Sequence, residues 1–349
     1  MTVLAERYAA LCADLAREGR PPRACDAARR LGTTEAALVA CGAIGPVVPL
    51  RPDWPALIGA LPRLGWVMAL TRNEHAVHER HGAYRGVSAG PGHILVLGPE
   101  IDLRLFPGRW AHAFALAGER PSIQVFDRDG EAAHKVYAVA GETDMAAWGA
   151  LVAAFTASGL AAPRLQAPPV PPPATETLVD AVALRADWLA LRDTHDFIRL
   201  LRAHRATRRQ ALALAGEDLA LRLDPGAAAI ALRLAAEREV PIMLFVSNRS
   251  AIQIHTGPVR RLLPSPGGWF NVLDPAFNLH LRESAVAAAW RVVKPTEDGA
   301  VTSIELFDAE GGLILQLFGA RKPGQPEQPA WREIAALVAG QGALREAAA

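Results

Sequence analysis

The first half of the chain is written again in the second, and this repetition restricts the fold more than any other feature of the sequence. Residues 67–73 align with 242–248 at an offset of 175, which pairs Met68 with Met243 and Asn73 with Asn248; the same offset pairs Ala76 with Ala251, Val77 with Ile252 and Gly82 with Gly257. Residues 101–105 meet 277–281 at an offset of 176, and residues 122–127 meet 303–308 at 181, pairing Ser122 with Ser303, Phe126 with Phe307 and Asp127 with Asp308. Order is kept and the offset drifts only by short loop insertions, as a tandem duplication requires. A chain built twice from one pattern must fold as two similar units.

Each half opens on apolar residues at helical spacing (residues 1–61 and 177–239) and continues in short apolar runs broken by turn residues, among them Asp129-Gly130 and Glu310-Gly311-Gly312. The alternation Ala133-His134-Lys135-Val136-Tyr137 predicts a strand with one wet face. The fold class expected is α+β, a tandem repeat of two similar halves, each a helical cap plus a mainly antiparallel β-sheet. Six prolines between Pro163 and Pro173 mark an extended linker. The boundaries are 1–160 for the N-terminal repeat, 161–177 for the linker and 178–349 for the C-terminal repeat.

With 51% hydrophobic and 21% charged residues the chain is neither disordered nor, lacking an apolar run near about 18 residues, membrane-spanning. Cys12, Cys25 and Cys41 lack CxxC spacing, and the N-terminal amphipathic helix (Leu4, Tyr8, Leu11, Leu15) has no export signal, so a cytoplasmic location is expected. Residues 24–38 read as helix, glycine turn and helix. The net charge of +1 lacks the basic footprint of a nucleic-acid binder, and packing within the helical cap, not DNA binding, is expected. No GxxxxGK[ST], strand-linked GxGxxG, GxSxG or HExxH motif is present.

Several stretches resemble one family. Residues 67–79, the run Ile101-Asp102-Leu103-Arg104-Leu105-Phe106 and His134-Lys135-Val136-Tyr137 are similar to the first half of the bacterial haem-utilisation proteins of the HemS and ChuS type, known as haemin-degrading factors, haemin transport proteins or haem oxygenases. Gln253-Ile254-His255-Thr256-Gly257-Pro258, residues 269–281 and residues 294–303 are similar to the second half. The resemblance implies a tandem repeat that binds one haem (haem b) between its halves. It also implies either oxidative haem degradation to a tetrapyrrole with iron release, driven by an external electron donor, or non-catalytic delivery of imported haem from an importer to a separate haem oxygenase.

Residue by residue, His195 carries the axial-ligand assignment. At helical spacing it shares a face with Trp188, Leu191 and Ile198, which suits either a porphyrin wall or a helix packing face, and the resemblance puts the proximal ligand at its Asp-Thr-His-Asp-Phe motif. His204 is an alternative ligand or a solvated histidine at a helix end. His78, with His75 and His81, is a second-site candidate or a surface histidine near a turn. Arg104 shares a strand face with Asp102, so a plain ion pair is open, whereas the resemblance makes it the distal arginine, a donor to water or dioxygen on the iron. Lys294, Arg321 and Lys322 are candidate propionate cations or ordinary strand-end charges. Phe318 stands where many relatives carry a tyrosine; it is a core aromatic or a haem wall, and has no hydroxyl to offer a propionate.

Overall fold

The computed structural model describes residues 2–17, 23–157, 178–265, 267–322 and 324–346; the proline-rich linker lies outside them. In chain order come α1 (Val3–Arg17), α2 (Ala24–Arg30), α3 (Glu35–Ala40), β1 (Val47–Leu50), α4 (Trp54–Ala60), β2 (Gly65–Arg72), β3 (Ala76–Ala83), β4 (Val87–Gly90), β5 (His93–Leu97), β6 (Asp102–Leu105), β7 (Trp110–Leu116), β8 (Ser122–Asp127), β9 (Ala132–Thr143) and α5 (Met145–Phe155). The second half continues with α6 (Ala181–Leu189), α7 (Phe197–Ala203), α8 (Arg208–Leu214), β10 (Ala220–Leu223), α9 (Ala227–Glu237), β11 (Ile242–Ser247), β12 (Ala251–Gly257), β13 (Leu262–Ser265), β14 (Trp269–Asp274), β15 (Phe277–Arg282), β16 (Ala288–Lys294), β17 (Val301–Phe307), β18 (Leu313–Gly319) and α10 (Pro329–Glu346). The fold is α+β with antiparallel pairing, as expected. The openings read as helical also hold one short strand each, β1 and β10.

Two units emerge, one of Met1–Arg72, Glu79–Val170 and Asn248–Gln253, the other of Asn73–His78, Pro171–Ser247 and Ile254–Ala349. Each takes in six residues from the other half of the sequence, an exchange that no composition shift marks. Asparagines anchor the exchanged segments within their units. Asn73 Nδ2 donates to the carbonyls of Ser247 (3.1 Å) and Ile314 (2.7 Å), and Asn248 Nδ2 to those of Arg72 (3.0 Å) and Ala133 (3.1 Å).

In the first unit five antiparallel strands run in the order β1-β7-β8-β9-β2. One face packs Val67, Ile123, Val125 and Val136 against Trp148 and Leu151 of α5. The opposite face is covered by α3, whose N-cap Thr34 accepts from Ala37 N–H (3.2 Å) and stands so close to the β8–β9 turn that a Cβ on Gly130, at φ +81°, would meet its Oγ1 at 2.4 Å. The wet face expected around Lys135 is therefore absent, and Ala132 to Val136 are all buried. Lys135 reaches Glu35 of α3 at 2.5 Å and Arg72 pairs with the same carboxylate. His134 is buried too, with Nδ1 3.0 Å from Thr71 Oγ1 and Nε2 2.5 Å from Tyr84 Oη; desolvation brings its pKa down to about 3.

The second unit repeats this strand order and the register of its central pairs, in the order β10-β16-β17-β18-β11. Ser122↔Tyr137, Gln124↔Lys135 and Met68↔Tyr137 in the first unit become Ser303↔Phe318, Glu305↔Gln316 and Met243↔Phe318 in the second. One face joins α9 and α10 through Leu232, Ala235, Leu244, Leu317 and Trp331, and the indole Nε1 of Trp331 donates to Thr302 O at 2.9 Å. A helical cap of α6, α7 and α8 covers part of the other face through Trp188, Phe197, Leu212 and Phe307.

Burial alone would raise the Glu35 pKa, but the charges of Lys135 and Arg72 outweigh it and hold the carboxyl at about 2. A folded pKa below the unfolded value of about 4.3 gives stability that is complete above that value and lost as pH falls toward 2. Glu35→Gln is expected to cost about 3 kcal/mol at pH 7 by stranding Lys135, and the gap from wild type should close between about pH 5 and 2. Urea unfolding across that range measures both.

Candidate functional site

The site builds up from two buried aromatics. Trp188, at the end of α6, donates its indole N–H to Val293 O at 3.0 Å and meets the Phe197 ring edge-on at 4.5 Å. These contacts pin the end of α6 and the start of α7, so residues 190–196 must form a tight external turn. Its backbone is fastened by Glu297 N–H to Arg192 O at 3.0 Å and by the Arg192–Glu297 ion pair. Asp193 caps a 3-10 turn, Thr194–Asp196, and its Oδ1 accepts from the backbone N–H of His195 at 2.9 Å and lies 2.6 Å from the His195 Nδ1.

His195 therefore does not share a helix face with Trp188, since α6 ends at Leu189 and the turn intervenes. Its side chain is 90% exposed, which removes the alternative of a histidine tucked into a packing face. With the Nδ1 proton assigned toward the carboxylate, Nε2 presents its lone pair to the outside. The backbone bond from His195, above all, holds the Asp193 carboxyl below the usual aspartate range; the His195 ring and Arg321 act the same way. Ile198, three residues on, leaves its aliphatic side chain 54% exposed.

Next to this turn the cap meets the sheet at a buried charge cluster. The capping box of α8, Thr207 with Gln210, sets Arg208 at the first helical position. Its guanidinium engages Glu305 twice, Nε to Oε2 at 2.6 Å and Nη2 to Oε1 at 2.8 Å. Lys294 Nζ lies 3.0 Å from Glu305 Oε1, which also accepts from Ser303 and from Gln316 Nε2 at 2.9 Å. Lys294 and Arg208 lie over the Phe197 ring at 4.7 and 5.0 Å. Burial raises the Glu305 pKa, but the two cations outweigh it and hold it well below the usual range.

Lys294 is thus no solvent-facing strand-end charge. It is buried, burial lowers its pKa against the pull of Glu305, and its charge already has a partner. Arg321 is the freer cation: it stands 3.7 Å from Asp298, and its Nη1 is shielded from solvent with no hydrogen-bond partner among the described residues. Lys322 is exposed. Phe318 is half-buried, its ring 5.1 Å from that of Phe245 and edge-on to it; with Met243 and Gln316 it lines the sheet face that also carries Glu305.

Arg104, on β6, pairs with Asp102 and donates to Leu103 O at 3.2 Å, with a third of its side chain exposed. His204 ends α7 with Nε2 2.8 Å from Asp187 Oδ2 and only 13% exposed; it ties α7 to α6 and is not solvated. His78 corrects the expectation for a surface cluster. It belongs to β3, where residues three apart point to opposite faces, and it is fully buried with its ring 5.0 Å from Phe277. Among the described residues no group of three or more His, Cys, Asp or Glu side chains could hold a metal ion. Sequence reasoning missed Asp193, Arg208 and Glu305. The Asp-x-His spacing and the Thr207-x-x-Gln210 capping box were the available signals.

Residues 32–155 and 205–337 match the model of the haemin-degrading HemS.ChuX domain. The chain belongs to this family. Both matched segments carry the domain, as a duplication demands, and they contain Arg104, Lys294, Phe318 and Arg321, whereas His195 falls just outside them. The hemin transport protein HemS of Yersinia enterocolitica is 43% identical over 320 residues, 89% of this chain and 92% of that one. Holo-PhuS, a heme-binding protein from Pseudomonas aeruginosa, is similar in structure with a TM-score of 0.88 at 50% identity, covering 96% of this chain and 98% of that one. ChuS, an E. coli heme oxygenase, gives 0.86 at 36% identity, covering 97% and 99%. No described helix is long and apolar enough to cross a membrane.

The two candidate cations should separate by experiment. Lys294→Met, leaving Glu305 one partner short, is expected to cost about 3 kcal/mol of stability, and Arg321→Gln less than about 0.5 kcal/mol. Urea unfolding of the two variants checks this.

Proposed function

We propose that the protein binds haem b through His195 and degrades it oxidatively, releasing iron. The observation that carries the reading is the exposed His195 imidazole with Nδ1 on the Asp193 carboxylate and Nε2 facing outward, the arrangement of an oriented axial base. In this reading Phe318, Phe245 and Ile198 offer apolar surface to the porphyrin, and Arg321, with a donor left over, pairs with a propionate. Arg208 and Lys294 act from beneath, two cations around one carboxylate, so the surroundings of Phe197 favour an anionic ligand. Phe318 has no hydroxyl to add a polar contact.

Opening the macrocycle consumes dioxygen and electrons from an external donor. The chain's part is to hold the substrate by His195 and to supply a hydrogen-bond donor that cannot itself ligate iron. Arg104 has that chemistry. One observation favours a second reading, that of a haem carrier serving a separate oxygenase: the Arg104 guanidinium is already engaged by Asp102 and Leu103 O. For catalysis it must exchange those partners. In either reading the upstream partner is a haem importer and the location cytoplasmic.

His195→Ala is expected to abolish the histidine-ligated Soret spectrum of the ferric complex; an unchanged spectrum sinks the assignment. Incubating the wild-type complex with a reductant and catalase, with and without air, tests the chemistry. Oxygen-dependent formation of a tetrapyrrole and free iron, slowed at least about tenfold in Arg104→Ala with haem still bound, is the expected result. Stable ferrous haem that moves to an acceptor protein supports the carrier instead.

A further inference from the structure

The proposed ligand, His195, lies on an exposed turn, where a histidine would ordinarily sample several rotamers and both neutral tautomers. Here one atom restricts it. Asp193 Oδ1 accepts the His195 backbone N–H at 2.9 Å and faces Nδ1 at 2.6 Å, so the carboxylate is registered to the backbone of the residue whose ring it holds. Asp193 is itself steadied by the turn it caps and by the Arg192–Glu297 contacts beside it. We propose that Asp193 is the positioning residue of the axial imidazole, fixing its tautomer and ring direction and making the bound imidazole electron-rich, so that ferric haem is retained over ferrous.

The inference rests on His195 being the haem ligand. A structural role alone would need only an acceptor for one backbone N–H, which serine or asparagine provides as well as aspartate. A charged partner on Nδ1 does more. With 57% of the Asp193 side chain and 90% of the His195 side chain in water the pair contributes little to the free protein. Once a macrocycle covers the ring the local dielectric falls, and the same hydrogen bond polarises the imidazole strongly. The effect is therefore expected in the haem complex and not in the stability of the apoprotein.

Asp193→Asn and Asp193→Ser keep the cap and remove the charge. Both apoproteins should match wild type in circular dichroism and urea unfolding. In the complexes the iron–histidine stretching frequency of the ferrous form should drop, and ferric haem should leave for a scavenger about tenfold faster. If that loss is confined to the ferric form, the reduction potential rises by about 59 mV. Wild-type frequency, release rate and potential in both variants, beside a His195→Ala protein that has lost its Soret spectrum, would show that Asp193 only caps the turn. An unchanged Soret spectrum in His195→Ala would instead remove the ligand assignment and this inference with it.

Discussion

A carboxylate with no access to water must be neutralised where it stands, and in this protein that constraint ties helices to sheet. Glu305 on β17 is buried, and the cost of burying its charge is offset by Arg208 from the helical cap and Lys294 from β16. Once Arg208 is anchored, α8 has one place to go. Phe197, lying under both cations, then fixes the first turn of α7. The exposed turn that carries His195 begins where that packing stops.

The first unit solves the same problem with the roles exchanged. There the helix supplies the acid, Glu35, and the strands supply the cations, Lys135 and Arg72. The strand register behind both arrangements is the same, and the residues at corresponding positions differ: Gln124 and Lys135 pair in the first unit, Glu305 and Gln316 in the second. The consequence is a difference in cover. Met68 and Lys135 are buried in the first unit, whereas Met243 and Gln316 at the matching positions of the second stay partly open; Ser122, Gln124, Ser303 and Glu305 are all buried, and Tyr137 and Phe318 are both partly exposed.

Placing the candidate axial base on a short turn rather than on a helix also has a physical logic. A helical residue on a packing face would have to leave its neighbours to meet a ligand. A turn residue held by a neighbouring carboxylate is outside already, with its direction set and its backbone fastened at both ends by Trp188 and Phe197.

The repeat, the antiparallel pairing of its strands, the Asp129-Gly130 turn and the family were all legible in the sequence, because they depend on apolar periodicity, on glycine's access to positive φ and on long motifs. The site was legible only as a set of residue names. Lys135 read as a charge on a wet face because a local pattern holds no record of a helix laid over the strand from 100 residues away. His78, grouped with His75 and His81 in the sequence, is buried on β3, where the strand pleat sets it on the face opposite His81. For His195 the sequence determined the residue type and its Asp-x-His neighbour. Only tertiary packing decided that α6 stops short, that Trp188 and Phe197 turn inward, and that the imidazole between them is left in solvent with one nitrogen held and the other free, because burial of the two large rings takes precedence over continuing the helix.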